Sequence, residues 1–266
     1  MNVIRVITGN IQDVLPAVRH DEAKEAMLDL PGVRSMVGNA TIDVMNYRQV
    51  MAIFNKLKYH PRPVIQGYSS YTPSLQTLNR SFFENNLRPE YLLFNLETID
   101  RRFPALDDAP ALLYVLKNYH PITSERGMFL FRKNEGVSVP VQQKLISEQT
   151  VRFGQMLDCR GINQTVLVMQ VDMKPTILGS MVTSLYHAPI IPMDVYIDGG
   201  KITTRFVPAM AEIGFLFNPL LLENEDVINI YRKKGRPVTG VTFLKPEMAW
   251  GQLPETFTVR MYSIEL

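Results

Sequence analysis

The chain has a single cysteine, Cys159, so neither an internal disulfide nor a cysteine-based metal site can form. Its four histidines, His20, His60, His120 and His187, lie far apart, without the short spacings of a zinc motif. No metal and no other cofactor is expected. Charge of one sign is lacking too: 28 Lys plus Arg stand against 26 Asp plus Glu, a net charge of +2. Nucleic-acid binding needs a basic face, and no basic run or lysine tail is present to build one. Arg232, Lys233 and Lys234 beside Gly235 are few enough for a turn. Long apolar runs are also missing. The opening "MNVIRVITGNIQD" has no signal-peptide core. The longest uncharged stretch, 175–193, holds Gly179, His187, Pro189 and Pro192, which would break a spanning helix. It reads as two strands and a turn. Neither a G-x-S-x-G elbow, a P-loop nor a G-x-G-x-x-G fingerprint occurs.

What is present is a globular composition, with 46% apolar and 20% charged residues over 266 positions. That length suits one large domain or two ordinary ones. Two kinds of pattern divide it, which predicts an α/β domain over 1–134 and a β-sandwich of jelly-roll type over 135–266. In the first part Pro16 starts or kinks a helix that Pro31 and Gly32 end. "TIDVM" (41–45), "PVIQ" (63–66), "YLLFNLE" (91–97) and "GMFLFRK" (127–133) read as strands. Helical stripes lie between them: Tyr47, Val50, Met51, Phe54 and Leu57; then Leu75, Leu78 and Phe82; then Leu112, Leu113 and Leu116. Thr72 is placed to cap the second of these helices, with Pro73 in its first turn, and Asp108 to cap the third. Strands alternating with helices predict a three-layer arrangement around a mainly parallel sheet. His60 and His120, each in a Tyr-His-Pro sequence, read as turns.

From about residue 135 the helical period fades. The segments at 165–173, 193–198, 201–208, 237–245 and 256–266 are short and rich in β-branched and aromatic residues. Asp198 and Gly199, with Gly200, join two of them as a hairpin. "NEDVINIY" (224–231) reads as one interrupting helix.

In an open parallel sheet, ligands bind beyond the carboxyl ends of the strands. Those ends carry Asp43, then Gln66, Tyr68, Ser69 and Tyr71, then Glu97, Asp100 and Arg102. These are the candidate ligand-binding residues, and Glu97 with Asp100 is the one candidate acid and base pair. The plainer reading stands beside this. Loop residues are polar by default, Asp107 and Asp108 suit a helix cap, and Arg101 and Arg102 next to Asp100 suit an ion pair that orders the loop. Trp250, with Met248 near it, suits either a sugar-stacking platform or core packing.

The run "IDVMNYRQVMAIFNKLKYHPRPVIQGYSSYTPSLQTLN", then "RPEYLLFNLETIDRRFPALDD" and "DGGKITTRFVPAMAEIGFLFNPLL", resembles the C-terminal soluble region of an uncharacterised family of bacterial polytopic, glycosyltransferase-like membrane proteins. The shared pattern is a "VDV" strand, a "PRPVFQSYSAYTP"-like loop and a later "DG…R..P.MA..GFLLSPL" segment. The resemblance covers most of 37–222 and implies an extracytoplasmic module on the outer face of the inner membrane, with a membrane half as partner. A complete, stand-alone chain would instead be cytoplasmic. The family carries no established activity. Three functions are therefore expected in order: a non-catalytic module that binds a glycan or lipid-linked sugar, a hydrolase or transferase acting on a sugar or phosphate ester through Glu97 and Asp100, and an assembly domain without a small ligand.

Overall fold

A computed structural model describes residues 26–85, 88–162, 166–185, 189–247 and 251–266. Pro16, where the first helix is expected to start or kink, and the platform at Met248 and Trp250 lie outside them.

The first sheet is built around β1 (Thr41–Val44). Both β2 (Lys58–Tyr59) and β3 (Tyr91–Phe94) run parallel to it. Next to β3 the direction reverses, because β4 (Tyr119–Glu125) and β5 (Met128–Lys133) form a hairpin whose β5 lies antiparallel on β3. The order β2-β1-β3-β5-β4 makes the sheet mixed, with β5 running against the other four strands. The turn expected at His120 is in fact the edge strand β4. Pro121 is tolerated there because an edge strand has one side without a partner, and the register shifts beside it, between Pro121 and Thr123.

Helices pack on both faces. In β3, Tyr91 and Leu93 join a smaller core with α1 (Pro31–Val37) and α2 (Val50–Phe54), whereas Leu92 and Phe94 point into the larger core with α3 (Pro73–Glu84) and α4 (Ala109–Asn118). That division is why all four residues of "YLLF" are buried. Residues 26–28 are helical and stop short of Pro31, as expected, and Pro31 itself opens α1, since its fixed φ and missing N–H suit a first helical position. In α2 only Met51 and Ala52 are buried, so the longer expected stripe is cut short, with Val50 exposed.

Two expectations fail around α3 for one reason. Its buried face is Gln76, Asn79 and Phe83, not Leu75, Leu78 and Phe82; Leu78 is 48% exposed. The Asn79 amide accepts from Val64 N at 2.8 Å and donates to Val64 O at 3.0 Å. Gln49 Nε2 donates to Ile65 O at 2.6 Å. Side-chain amides thus satisfy the Val64 backbone and the Ile65 carbonyl, and 63–66 is no strand; Ile65 is exposed and Val64 half-buried.

The second part is antiparallel. Its strands are β6 (Gln143–Arg152), β7 (Met156–Asp158), β8 (Val166–Asp172), β9 (Ile191–Ile197), β10 (Gly200–Phe206), β11 (Phe215–Asn218), β12 (Val238–Phe243) and β13 (Thr256–Ile264). They form two four-stranded sheets, β10-β9-β12-β7 and β11-β8-β13-β6. Phe206 and Phe243 from one sheet meet Phe215 and Phe257 from the other, at ring separations of 6.4 and 5.4 Å. The hairpin at Asp198 and Gly199 forms as the sequence implies, with Gly199 at φ +88°, a left-handed value open to glycine. Connecting helices are α5 (Ile177–Leu185), α6 (Pro208–Ala211) and α7 (Asn224–Tyr231). The stretch 175–193 therefore holds one helix and the start of one strand rather than two strands. The helix at 224–231 is present, and Glu223 and Asp226 close a capping box at its start.

The two parts share one core. Phe103 stacks edge-on with Phe215 at 5.5 Å, and the backbones of 101–103 and Arg205 exchange hydrogen bonds of 2.7 and 3.0 Å.

Candidate functional site

The carboxyl ends of β1 and β3 meet the loop 60–72 over a buried layer of charge. Arg62, with no exposed side-chain surface, stands between two prolines whose missing N–H groups keep the chain out of the sheet. Its Nη1 donates to Asp43 Oδ2 at 2.9 Å and to Val44 O at 2.7 Å, and its Nε donates to Asp108 Oδ2 at 2.8 Å. Asn79 Nδ2 donates to the same Asp108 oxygen at 2.8 Å. Asp108 occupies the cap position of α4 at φ +54° but makes no cap hydrogen bond; Arg62 has taken its carboxylate.

Arg102, equally buried, forms the second centre. Its Nη1 donates to Tyr68 O at 2.8 Å and to Asp107 Oδ1 at 3.4 Å, while Nη2 donates to the Tyr71 hydroxyl. Gln76 Nε2 adds hydrogen bonds to Ser70 O at 3.1 Å and to Met210 O at 3.2 Å, tying the loop to α6. Burial pushes both Asp107 and Asp108 up to about 6, against the pull of the neighbouring arginines, and raises Asp43 as well. Within the layer three carboxylates face two guanidiniums, which leaves one negative charge in excess.

Of the residues chosen from the sequence, Asp43 and Arg102 belong to this interior and are closed to solvent. Gln66 Oε1 accepts from the Tyr68 hydroxyl at 2.7 Å, and Ser69 is half-buried in the single turn Gly67–Ser69. Gly67 packs over the layer: a Cβ there would lie 3.5 Å from the Asp108 side chain. Glu97 and Asp100 are both paired with arginines. Arg48 holds Glu97 through two hydrogen bonds, one of them Nε to Oε2 at 2.7 Å, and Arg205 Nη1 reaches Asp100 Oδ2 at 3.1 Å. Partial burial acts to raise the Glu97 carboxyl, but hydrogen bonds from Arg48 and Tyr47 outweigh it and hold it below its ordinary value. A carboxyl so held stays ionised near neutrality and is a poor proton donor.

What faces solvent is an aromatic and charged shelf above the layer. Tyr47 and Tyr68 meet edge to face at 5.8 Å, both half-exposed, and Tyr71 is exposed with the Arg102 guanidinium 4.7 Å from its ring centre. Arg48, Glu97, Asp100 and Arg205 border it. Asn46, Asp100, Arg101 and Asp108 all have φ between +54° and +77°, so four non-glycine residues at this edge hold left-handed backbone.

Sequence reasoning missed Arg62, Gln76, Asn79, Arg48 and Arg205. The available signals were a lone arginine between prolines and a Gln76, Asn79, Phe83 stripe at helical spacing.

Replacing Tyr71 by Phe removes an acceptor from buried Arg102 and is expected to lower stability by roughly 1 kcal/mol or more. Tyr68→Phe, whose hydroxyl donates to the neighbouring, partly exposed Gln66 side chain, should cost less. Thr72 Oγ1 accepts from Leu75 N at 3.3 Å, so Thr72→Ala should cost about 1 kcal/mol. Urea midpoints of the three variants test this order.

No family model, no curated protein and no solved structure matches the chain. Among the described residues no cluster of His, Cys, Asp and Glu is placed to hold a metal, and no helix is long and apolar enough to cross a membrane.

Proposed function

We propose that this protein is a non-catalytic module that binds a glycan or a lipid-linked sugar, on the outer face of the inner membrane and beside a membrane-embedded partner. The observation that carries the reading is the shelf of Tyr47, Tyr68 and Tyr71, set on two buried arginines and bordered by paired charges. Aromatic faces stack on the apolar side of a sugar ring, while the bordering carboxylates and guanidiniums accept from and donate to its hydroxyls. Beneath the loop, donors on Arg62 Nη2 and Arg102 Nε, and acceptors on Asp108 Oδ1 and Gln76 Oε1, have no partner among the described residues. These atoms are closed to solvent, so they belong to the layer that supports the shelf and not to its ligand-facing surface.

The hydrolase or transferase reading is weaker because Glu97 and Asp100 are each committed to an arginine. The two antiparallel sheets are read as a jelly-roll-like sandwich that supports the shelf from behind, through Arg205 and Met210. The resemblance to the soluble region of glycosyltransferase-like membrane proteins supports the placement.

Calorimetric titration with envelope glycans and a polyprenyl-phosphate-linked sugar tests the proposal. Binding is expected for at least one, and Tyr47→Ala should abolish it without moving the melting temperature by more than a few degrees. No heat with any member of the panel, or unchanged affinity in the variant, overturns it.

A further inference from the structure

We infer that α5, with Ile190 just before β9, forms a membrane-surface contact, an apolar tip that rests in the headgroup boundary of a bilayer. This contact is separate from the strand-end shelf and does not depend on what binds there. Ile177 is 82% exposed, Met181 63%, Ile190 59% and Leu178 54%. Ile177, Leu178 and Met181 fall at spacings of one and four along the helix, which places them on one side.

The opposite side is anchored. Thr176 N donates to Gln252 O at 3.0 Å, and its hydroxyl donates to Gly251 O at 2.5 Å while accepting from Gly179 N at 2.9 Å. Gly179 lies so close to the 251–252 backbone that a Cβ would fall 2.0 Å from Gln252 O. A glycine is required at that contact, so the apolar side chains are turned outward by backbone packing.

The occupant follows from the size and charge of the patch. Four side chains of this kind expose roughly a few hundred Å². A stable protein interface takes about 800 Å² from each partner, so a second copy seated on this patch alone would not be held. From 175 to 193 there is no charged residue to fix the register of a protein partner. A bilayer needs no register. Charge stands only at the borders. Lys174 precedes the helix, 74% exposed beside Asp172, and exposed Lys245 and Glu247 follow Leu244, whose N–H donates to Pro192 O at 2.9 Å. Lysines in that position reach headgroup phosphates while the tip enters the acyl boundary.

The test is co-sedimentation of the whole chain with phosphatidylcholine vesicles, with and without phosphatidylglycerol. Because acids balance the border lysines, binding is expected to both and to persist in 0.5 M salt. The I177S/M181S/I190S variant, changed only at exposed positions, should fold as the parent does and lose ~10-fold or more in partition coefficient. As Cys159 is buried, a Met181→Cys variant can be labelled selectively with a polarity-sensitive dye, which should shift to the blue on adding vesicles. Absence of vesicle binding, binding retained by the triple variant, or concentration-dependent self-association that the triple variant abolishes each overturns the inference; the last would assign the patch to a second copy.

Discussion

Arg62→Met is expected to lower the unfolding free energy by about 3–5 kcal/mol, a large share of the ~5–15 kcal/mol that holds a domain folded. The replacement keeps much of the side-chain length and removes the charge. Asp43 and Asp108, both closed to solvent, would then lose the one guanidinium between them. Val44 O would lose its donor as well. The cost is that of leaving buried carboxylates unpaired rather than the net strength of the ion pairs, because forming those pairs also required desolvating three charged groups. This distinction is testable. Combining Arg62→Met with Asp43→Asn and Asp108→Asn removes all three charges together, and should recover most of the loss. Urea unfolding of the single and triple variants measures both quantities. A single-variant loss below about 1 kcal/mol would show that water reaches the layer and screens it.

Stability is expected to fall as pH rises between about 4 and 6, the reverse of the behaviour of ordinary salt-bridged carboxylates. Asp107 and Asp108 have ordinary values of 3.8 and are raised to about 6 in the folded protein. Between those values the folded state holds protons that the unfolded chain has released, so each unit of rising pH favours unfolding. The contribution is fully present below 3.8 and is lost as the pH passes 6. Glu97 acts in the opposite sense, since its lowered value gives stability that is lost as pH falls below 4.5. Above pH 4.5 the Glu97 contribution is constant and the change set by the two aspartates remains. Comparing urea unfolding at pH 5 and pH 7.5 should show the protein less stable at the higher pH, by about 1 kcal/mol for each of the two aspartates. The physical origin is burial, which disfavours each ionised carboxylate more than Arg102 and Arg62 favour it. Asp108→Asn, which removes one of the two titrating groups, should reduce the slope. A stability that rises from pH 5 to 7.5 would contradict that origin.

Much of the chain's local structure follows from the sequence alone. β1, β3 and β5 are legible because their residues are apolar or β-branched and lie within the sheet, and Thr72 and Pro73 announce the start of α3 through groups that act within one turn. The hairpin at Asp198 and Gly199 and the helix α7 are local in the same sense. The edge strands are less legible. β6 is exposed along nearly its whole length and shows no alternation, while β4 contains a proline that only an edge position explains.

The candidate site shows where such reading ends. Apolar periodicity locates the face of a helix that meets other apolar groups, and on that rule α3 should bury Leu75 and Leu78. It buries Gln76 and Asn79 instead, because what lies beneath it is Arg62 and Asp108, which need hydrogen-bond partners more than apolar contact. Asp43 lies in β1 and Arg102 in the loop that follows β3, and the burial of both depends on residues far away in the chain. The sequence by itself determined most interior strands of the first sheet, the start of α3, the 198–199 hairpin and α7, since those depend on neighbours a few positions away. Only the tertiary structure decided which of the candidate polar residues are consumed in buried ion pairs and which remain on the shelf, because a charge is satisfied by whatever the fold brings within about 3 Å of it.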